Sequence, residues 1–312
     1  MKKYFLLAGL LFLPALLQAQ FSFTTNNDGS LNIVGYVGSG AVTIPASTNG
    51  LPITSISTFA FQNLAALTSV AISSNITSIG LCPCISCSSL TAITVDPNNQ
   101  DYASLGGVLF NKNQTALVEY PGGLPGGYRI PNGVASLADH SFYNCTKLSS
   151  VFLPNSLTSI GSYAFCFCTD LRTVAIPSSV NNVALFAFGY NNSLTGVYFE
   201  GNAVPQASYV FSGAYNAIIY NLPGSTGWGT TFDGQPVVLW NPQMAGPGLQ
   251  TNQFGFSITG TSNDVLVVEA CTNVANPVWS FLRTLTVSNG PVYFSDPQWT
   301  NYPGRFYRLR SP

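Results

Sequence analysis

Charged side chains are scarce. Asp, Glu, Lys and Arg make up 7% of the 312 residues, against about 25% in an average soluble protein, so the surface must be finished with Ser, Thr, Asn, Gln and Gly. Three glutamates (Glu119, Glu200, Glu269) and four lysines leave too few strong helix formers for a long amphipathic helix. The chain therefore reads as strands and turns. A formal net charge of −1 excludes the basic footprint of a nucleic-acid binder. Phosphate loops, dinucleotide fingerprints, HExxH and EF-hand patterns are missing, as is the GxSxG nucleophile elbow, and no cofactor is expected.

Long apolar runs are missing too, with one exception. Tyr4 to Leu17 is interrupted only by Gly9 and Pro14, follows Lys2 and Lys3, and precedes small Ala19. That order is the layout of a secretory signal peptide, and the run falls short of the roughly 20 residues of a membrane span. Residues 1–19 are therefore expected to be removed, with the mature chain starting near Gln20 and the protein exported. No transmembrane span is expected after cleavage.

What is present is a repeat. Segments starting at Leu67, Leu148 and Leu171 each reach the next equivalent leucine, at Leu90, Leu171 and Leu194, after 23 residues. Each opens with L-x-x-V-x-I or a close variant, such as Leu171, Val174 and Ile176. Alternation with small polar residues marks a short strand with one buried face, and Pro154 and Pro177 end it by removing a ladder donor. Two more apolar positions follow (Leu157 and Ile160, Val180 and Val183). An aromatic then comes six residues before the next leucine, at Phe61, Phe142, Phe165 and Phe188. One unit cannot bury its own apolar face, whereas stacked units make a continuous core.

This register, with the phrases TSIGSYAFCFCTDL and VAIPSSV, resembles the bacterial BspA-type leucine-rich repeat family over roughly residues 30 to 200. The interval from Leu90 to Leu148 is longer, and its stretch NNQDYASLGGVLFNKNQTALVEYPGG resembles an insertion common in that family. Read from its residues, Val108–Phe110 and Thr115–Tyr120 flank a polar turn and predict a hairpin projecting from the stack. The fold class expected is a β-rich solenoid with a parallel sheet of 23-residue repeats, followed by a small antiparallel, sandwich-like β domain. Its parts are an N-terminal β cap (20–44), repeats (45–199) with a hairpin insertion (96–127), an end cap (200–240), a Pro- and Gly-bearing linker (241–253) and a β module (254–312). The module's phrases VEACTNVANPVW and YPGRFYRLRSP look like a C-terminal module of exported proteins from environmental bacteria. The family resemblance implies a bacterial protein, secreted or on the cell surface, that adheres to an extracellular protein or glycan without catalysis. The alternatives are a structural role in the cell envelope or, behind it, a carbohydrate-active enzyme.

Candidate chemistry is sparse. Cys82, Cys84 and Cys87 have spacings that can hold a metal or cycle a disulfide. However, Cys87, Cys145 and Cys168 each lie three residues before a repeat leucine, so they read as a column of small buried residues. Cys145 and Cys168, on adjacent turns of an oxidising-compartment protein, would lie within the span a bridge needs, and column packing satisfies them equally well. His140, the single histidine, shares a column with Phe59, Tyr163 and Phe186 and reads as a packing residue. No catalytic or metal site is expected. In each strand the second and fourth residues after the leucine point outward, giving Ser150 and Phe152, Thr173 and Ala175, and Gly196 and Tyr198. Phe152 and Tyr198 are the large members of this face, so they are the expected ligand contacts, with Ser150 and Thr173 beside them.

Overall fold

The computed structural model describes residues 20–205, 208–250, 252–261, 265–287 and 290–312; the expected signal peptide lies outside them. The repeats coil into a solenoid whose strands form two parallel ladders. In the broader ladder Ser69 pairs with Ala92 and Ile72 with Val95, and Thr173 pairs with Gly196. Each of these steps is thus one 23-residue turn. The narrower ladder stacks Ser136–Leu137, Ser159–Ile160 and Asn182–Val183. Between the ladders the repeat phenylalanines stack face to face, with centroids 4.8 Å apart for Phe142 and Phe165 and 5.2 Å for Phe165 and Phe188.

Two features of the repeat signature have local causes. The residue two before the phenylalanine turns the corner with positive φ, at Phe59, His140, Tyr163 and Phe186 (61°, 62°, 57° and 53°). That conformation is costly for a side chain other than glycine, but here rings stack between turns, His140 on Tyr163 at 4.9 Å and Tyr163 on Phe186 at 5.1 Å. The cysteine before the leucine donates its thiol to a main-chain carbonyl of the preceding turn. Cys87 Sγ reaches Phe61 O at 2.9 Å and Cys168 Sγ reaches Phe142 O at 3.1 Å. One turn further on, Asn191 Nδ2 performs the same task on Phe165 O at 2.8 Å. Cys145 and Cys168, expected within bridging reach, are free thiols, as are the other five cysteines.

The insertion does not project. Tyr102–Leu105, Val108–Asn111 and Ala116–Glu119 form an antiparallel meander, and its last strand pairs in parallel with Ser136–Leu137. Val108, Leu109 and Phe110 are all buried. Leu109 packs into the core of the first turns, whereas Val108 and Phe110 pack into that of the later turns. The insertion is therefore a wall between two cores, which an apolar strand with no polar face has to be. It also interrupts the stacking of turns above Cys84, whose amide would otherwise donate to the next turn as those of Phe61 and Phe142 do. Glu119 supplies the acceptor instead, its Oε1 3.0 Å from Cys84 N.

The solenoid also runs further than the period suggests. Within 200–240, read as a cap, Ile218–Asn221 and Gln235–Leu239 extend the broad ladder in parallel, and Phe211 extends the phenylalanine stack at 5.6 Å from Phe188. The region expected to be a linker, 241–253, holds the strand Gln243–Gln250. It pairs with Gln253–Thr259, which pairs with Val292–Asp296. Its polar, Gly- and Pro-bearing sequence suits an exposed edge strand as well as a linker. A second antiparallel sheet joins Val265–Cys271 to Ser280–Thr286 and Phe306–Arg310. The two sheets do not stand apart from the solenoid. Their core residues Phe256, Ile258, Leu266, Val268 and Phe294 form one apolar cluster with Tyr198, Tyr220 and Trp240 of the last turns. The module is thus docked on the outward face of the broad ladder.

Candidate binding cleft

This docking divides the expected contact face. Tyr198 is 2% exposed, with its ring 4.6 Å from Tyr220 and edge-on to Trp240, so it serves the interface with the module and is not open to a ligand. Thr173 and Ser150 are half-buried on their strands. Phe152 lies just beyond the covered area, where the sheet face meets the module in an open cleft of about 360 Å³. That volume is at the lower end of small-ligand pockets, about 300–1,000 Å³.

Each wall of the cleft follows from strand pairing. Arg129 is the partner of Phe152 across the parallel pair Gly126–Arg129 and Leu148–Phe152, which brings its guanidinium 4.5 Å from the ring centre. From the module, Phe306–Arg310 runs with Arg308 and Arg310 two residues apart, hence on one face. Arg308 lies 4.4 Å over Trp279, and Arg310 approaches Phe152 at 6.0 Å. Between them, Glu269 takes Arg308 Nη2 on Oε2 at 2.7 Å and Arg310 Nε on Oε1 at 2.7 Å. Burial acts to raise the Glu269 carboxyl, but the hydrogen bonds and charge of the two arginines outweigh it and hold it below the usual carboxylate range. Glu200 stands exposed at the lip.

Of the four residues expected as ligand contacts, only Phe152 lines this cleft. Arg129, Trp279, Arg308, Arg310 and Glu269 were missed. The R-x-R alternation in FYRLR was the one legible signal, and it shows that the two arginines share a face but not what they face. The other candidates have packing roles. His140 stacks on Tyr163, and burial lowers its imidazole below its ordinary value. Burial pushes the Cys87 thiol up to about 11 and that of Cys166 to about 12, whereas reactive thiols are lowered and partly exposed. Among the described residues no three His, Cys, Asp or Glu side chains converge on a common metal position.

No curated protein matches the chain. Solved structures with a similar fold include the pneumococcal vaccine antigen PcpA, at 19% identity and TM-score 0.46, where the match covers 62% of this chain and 61% of that one. This chain thus spans less than two thirds of the PcpA structure. A leucine-rich repeat protein from Eubacterium ventriosum is similar at 18% identity and TM-score 0.48, over 65% of this chain and 77% of that one. A leucine rich cell surface protein from Faecalibacterium prausnitzii is similar at 16% and 0.39, over 66% and 94%. The model of the BspA type leucine rich repeat region matches residues 41–122 and 127–227 in six copies. These residues hold the 23-residue turns, the phenylalanine stack and the thiol-to-carbonyl bonds, and over more than half of its length the chain belongs to the BspA-type leucine-rich repeat family.

Proposed function

We propose that this is a non-enzymatic recognition protein, exported to the bacterial cell surface or beyond, which holds an extracellular ligand in the cleft between the repeat sheet and the C-terminal module. The observation that carries the reading is the convergence of Arg129, Phe152, Trp279, Arg308 and Arg310 on one open cleft. Aromatic and arginine side chains are the types enriched at binding hot spots. Membership of a surface-associated repeat family supports the same reading. Glycoside hydrolysis is the competing chemistry, because Glu200 and Glu269 both line the cleft. It needs one carboxyl to deliver a proton and a second to act as base or nucleophile. Both oxygens of Glu269 are engaged by guanidiniums, which leaves it ionised and saturated, and recognition is favoured. The test is a glycan and matrix-protein array probed with the mature chain and with Phe152→Ser. Binding that persists in the mature chain and is lost in Phe152→Ser supports the cleft. Ligands retained equally by both proteins, or turned over with time, would overturn it.

A further inference from the structure

The guanidinium groups of the cleft are not all spent on protein partners. Arg308 commits Nε and Nη2 to Glu269, and Arg310 commits Nε to Glu269 and Nη1 to the Ser311 carbonyl. Arg308 Nη1 and Arg310 Nη2 have no protein acceptor among the described residues. Arg129 has neither a hydrogen bond nor an ion pair there; its only contact of note is the Phe152 ring. Glu200 offsets part of the positive charge, and it does so on the side of Arg308 and Arg310. Arg129 and Arg310 approach the same ring from different elements, at 4.5 and 6.0 Å, and among the described residues no carboxylate pairs with Arg129. Three of the six arginines in the chain meet here, although the chain as a whole carries net negative charge. A guanidinium stacked on a ring keeps its in-plane N–H fork free, and that fork matches a carboxylate in bidentate geometry.

We infer that the cleft binds an acidic saccharide, with the carboxylate of a hexuronic-acid unit held by Arg129 and the free edge of Arg310, and the sugar ring lying along the wall formed by Phe152 and Trp279. This rests on the cleft being the ligand site. The carboxylate supplies the acceptor that Arg129 and the free edge of Arg310 lack. The aromatic and guanidinium planes offer flat surfaces to the apolar C–H face of a pyranose. A cavity of about 360 Å³ admits one or two sugar units of a longer chain, and its open side lets the rest of the polymer continue into solvent.

The experiment is calorimetric titration of the mature chain with short hexuronic-acid oligosaccharides and with the same oligosaccharides carrying methyl-esterified carboxyls. The acids are expected to bind, and esterification or Arg129→Gln to weaken binding by about tenfold or more, as loss of a charge-assisted contact does. Affinity for the acid should also fall as salt is raised. Arg129 is exposed, so the unfolding midpoint of Arg129→Gln should match that of the parent. Equal affinity for acid and ester, or undiminished binding by Arg129→Gln, overturns the inference while leaving the cleft reading intact. Retention of acidic peptides without any saccharide overturns it in favour of a protein ligand. If array ligands bind and none depends on Phe152, the cleft reading itself fails, whatever the charge of the ligand.

Discussion

Glu119 should make the protein less stable as pH rises, and substituting glutamine should remove that dependence. Its carboxyl is 4% exposed and is held by one bond, from Cys84 N at 3.0 Å to Oε1, while Oε2 has no partner. Burial pushes it from 4.5 up to about 8, against a smaller lowering by the Cys84 amide. A carboxyl raised in the folded state keeps its proton there while the unfolded chain has already released it. The stability it provides is therefore complete below about 4.5 and is lost as pH climbs to about 8. The full effect is about 5 kcal/mol, of which about 4 kcal/mol falls between pH 5 and pH 8.5. Glutamine keeps the Oε1 acceptor for Cys84 and mimics the protonated form at the other atom. Urea midpoints of the two proteins should nearly coincide at pH 5 and separate by pH 8.5, with Glu119→Gln the more stable. His140, whose pKa is lowered by burial, has a dependence of the opposite sign below 6.5, and the buried thiols are raised from 9.0. The histidine is present in either protein and cancels in the difference, and the thiols ionise mainly above pH 8.5. A parent protein whose stability is flat from pH 5 to 8.5, or a glutamine variant with the same slope, would refute the reasoning.

Other expectations follow from burial. Phe165→Ala removes a fully buried ring from the stack and should cost about 3–5 kcal/mol, whereas Ser69→Ala on the open sheet face should stay within about 0.5 kcal/mol; denaturant midpoints decide. Tyr198→Ser should destabilise by about 3 kcal/mol or more, as large buried truncations do, and Phe152→Ser by much less, which separates an interface residue from a cleft residue. A thiol reagent should leave the native protein nearly unlabelled and reach all seven cysteines after unfolding, because each is buried; fast native labelling at Cys145 or Cys168 would break the column.

The solenoid was legible because its cause is local and repeated. Each leucine, valine, isoleucine and phenylalanine of a turn recurs at a fixed spacing, and one buried face per strand requires that spacing. Legibility ended where the pattern did. From Gly196 to Ile218 the ladder steps by 22 residues instead of 23, and the repeat leucine is replaced by Ala217, so two further strands carry no visible period. The insertion was legible as strands but not as a wall. Burial of both faces of Val108–Asn111 is a property of what lies on either side, and nothing in the strand itself states it.

The cleft was hidden for a related reason. Phe152 and Tyr198 have equivalent positions in their repeats, and as a sequence they are two outward aromatics on one sheet. What separates them is the docking of a module whose inner face begins more than 50 residues after Tyr198. Tyr198 meets Phe256, Leu266 and Val268 of that module within one apolar cluster, and Phe152 meets its Arg310 at the rim. The same docking turns the small outward residues into the floor of an interface and leaves the rim polar. That is the arrangement in which a buried apolar centre fixes the module and the charged edge remains free to recognise a ligand. Arg129 is the test of this division. It comes from the solenoid, whereas Arg308 and Arg310 come from the module, so a site built from all three exists only while the module is docked. Truncation after Trp240 should therefore abolish binding even though Arg129 and Phe152 remain in place. It should also expose Tyr198, Tyr220 and Trp240 together, and a contiguous apolar patch of that kind drives association. Light scattering should show more self-association for the truncated chain than for the full chain. A truncated chain that stays monomeric and still binds would place the site on the solenoid alone.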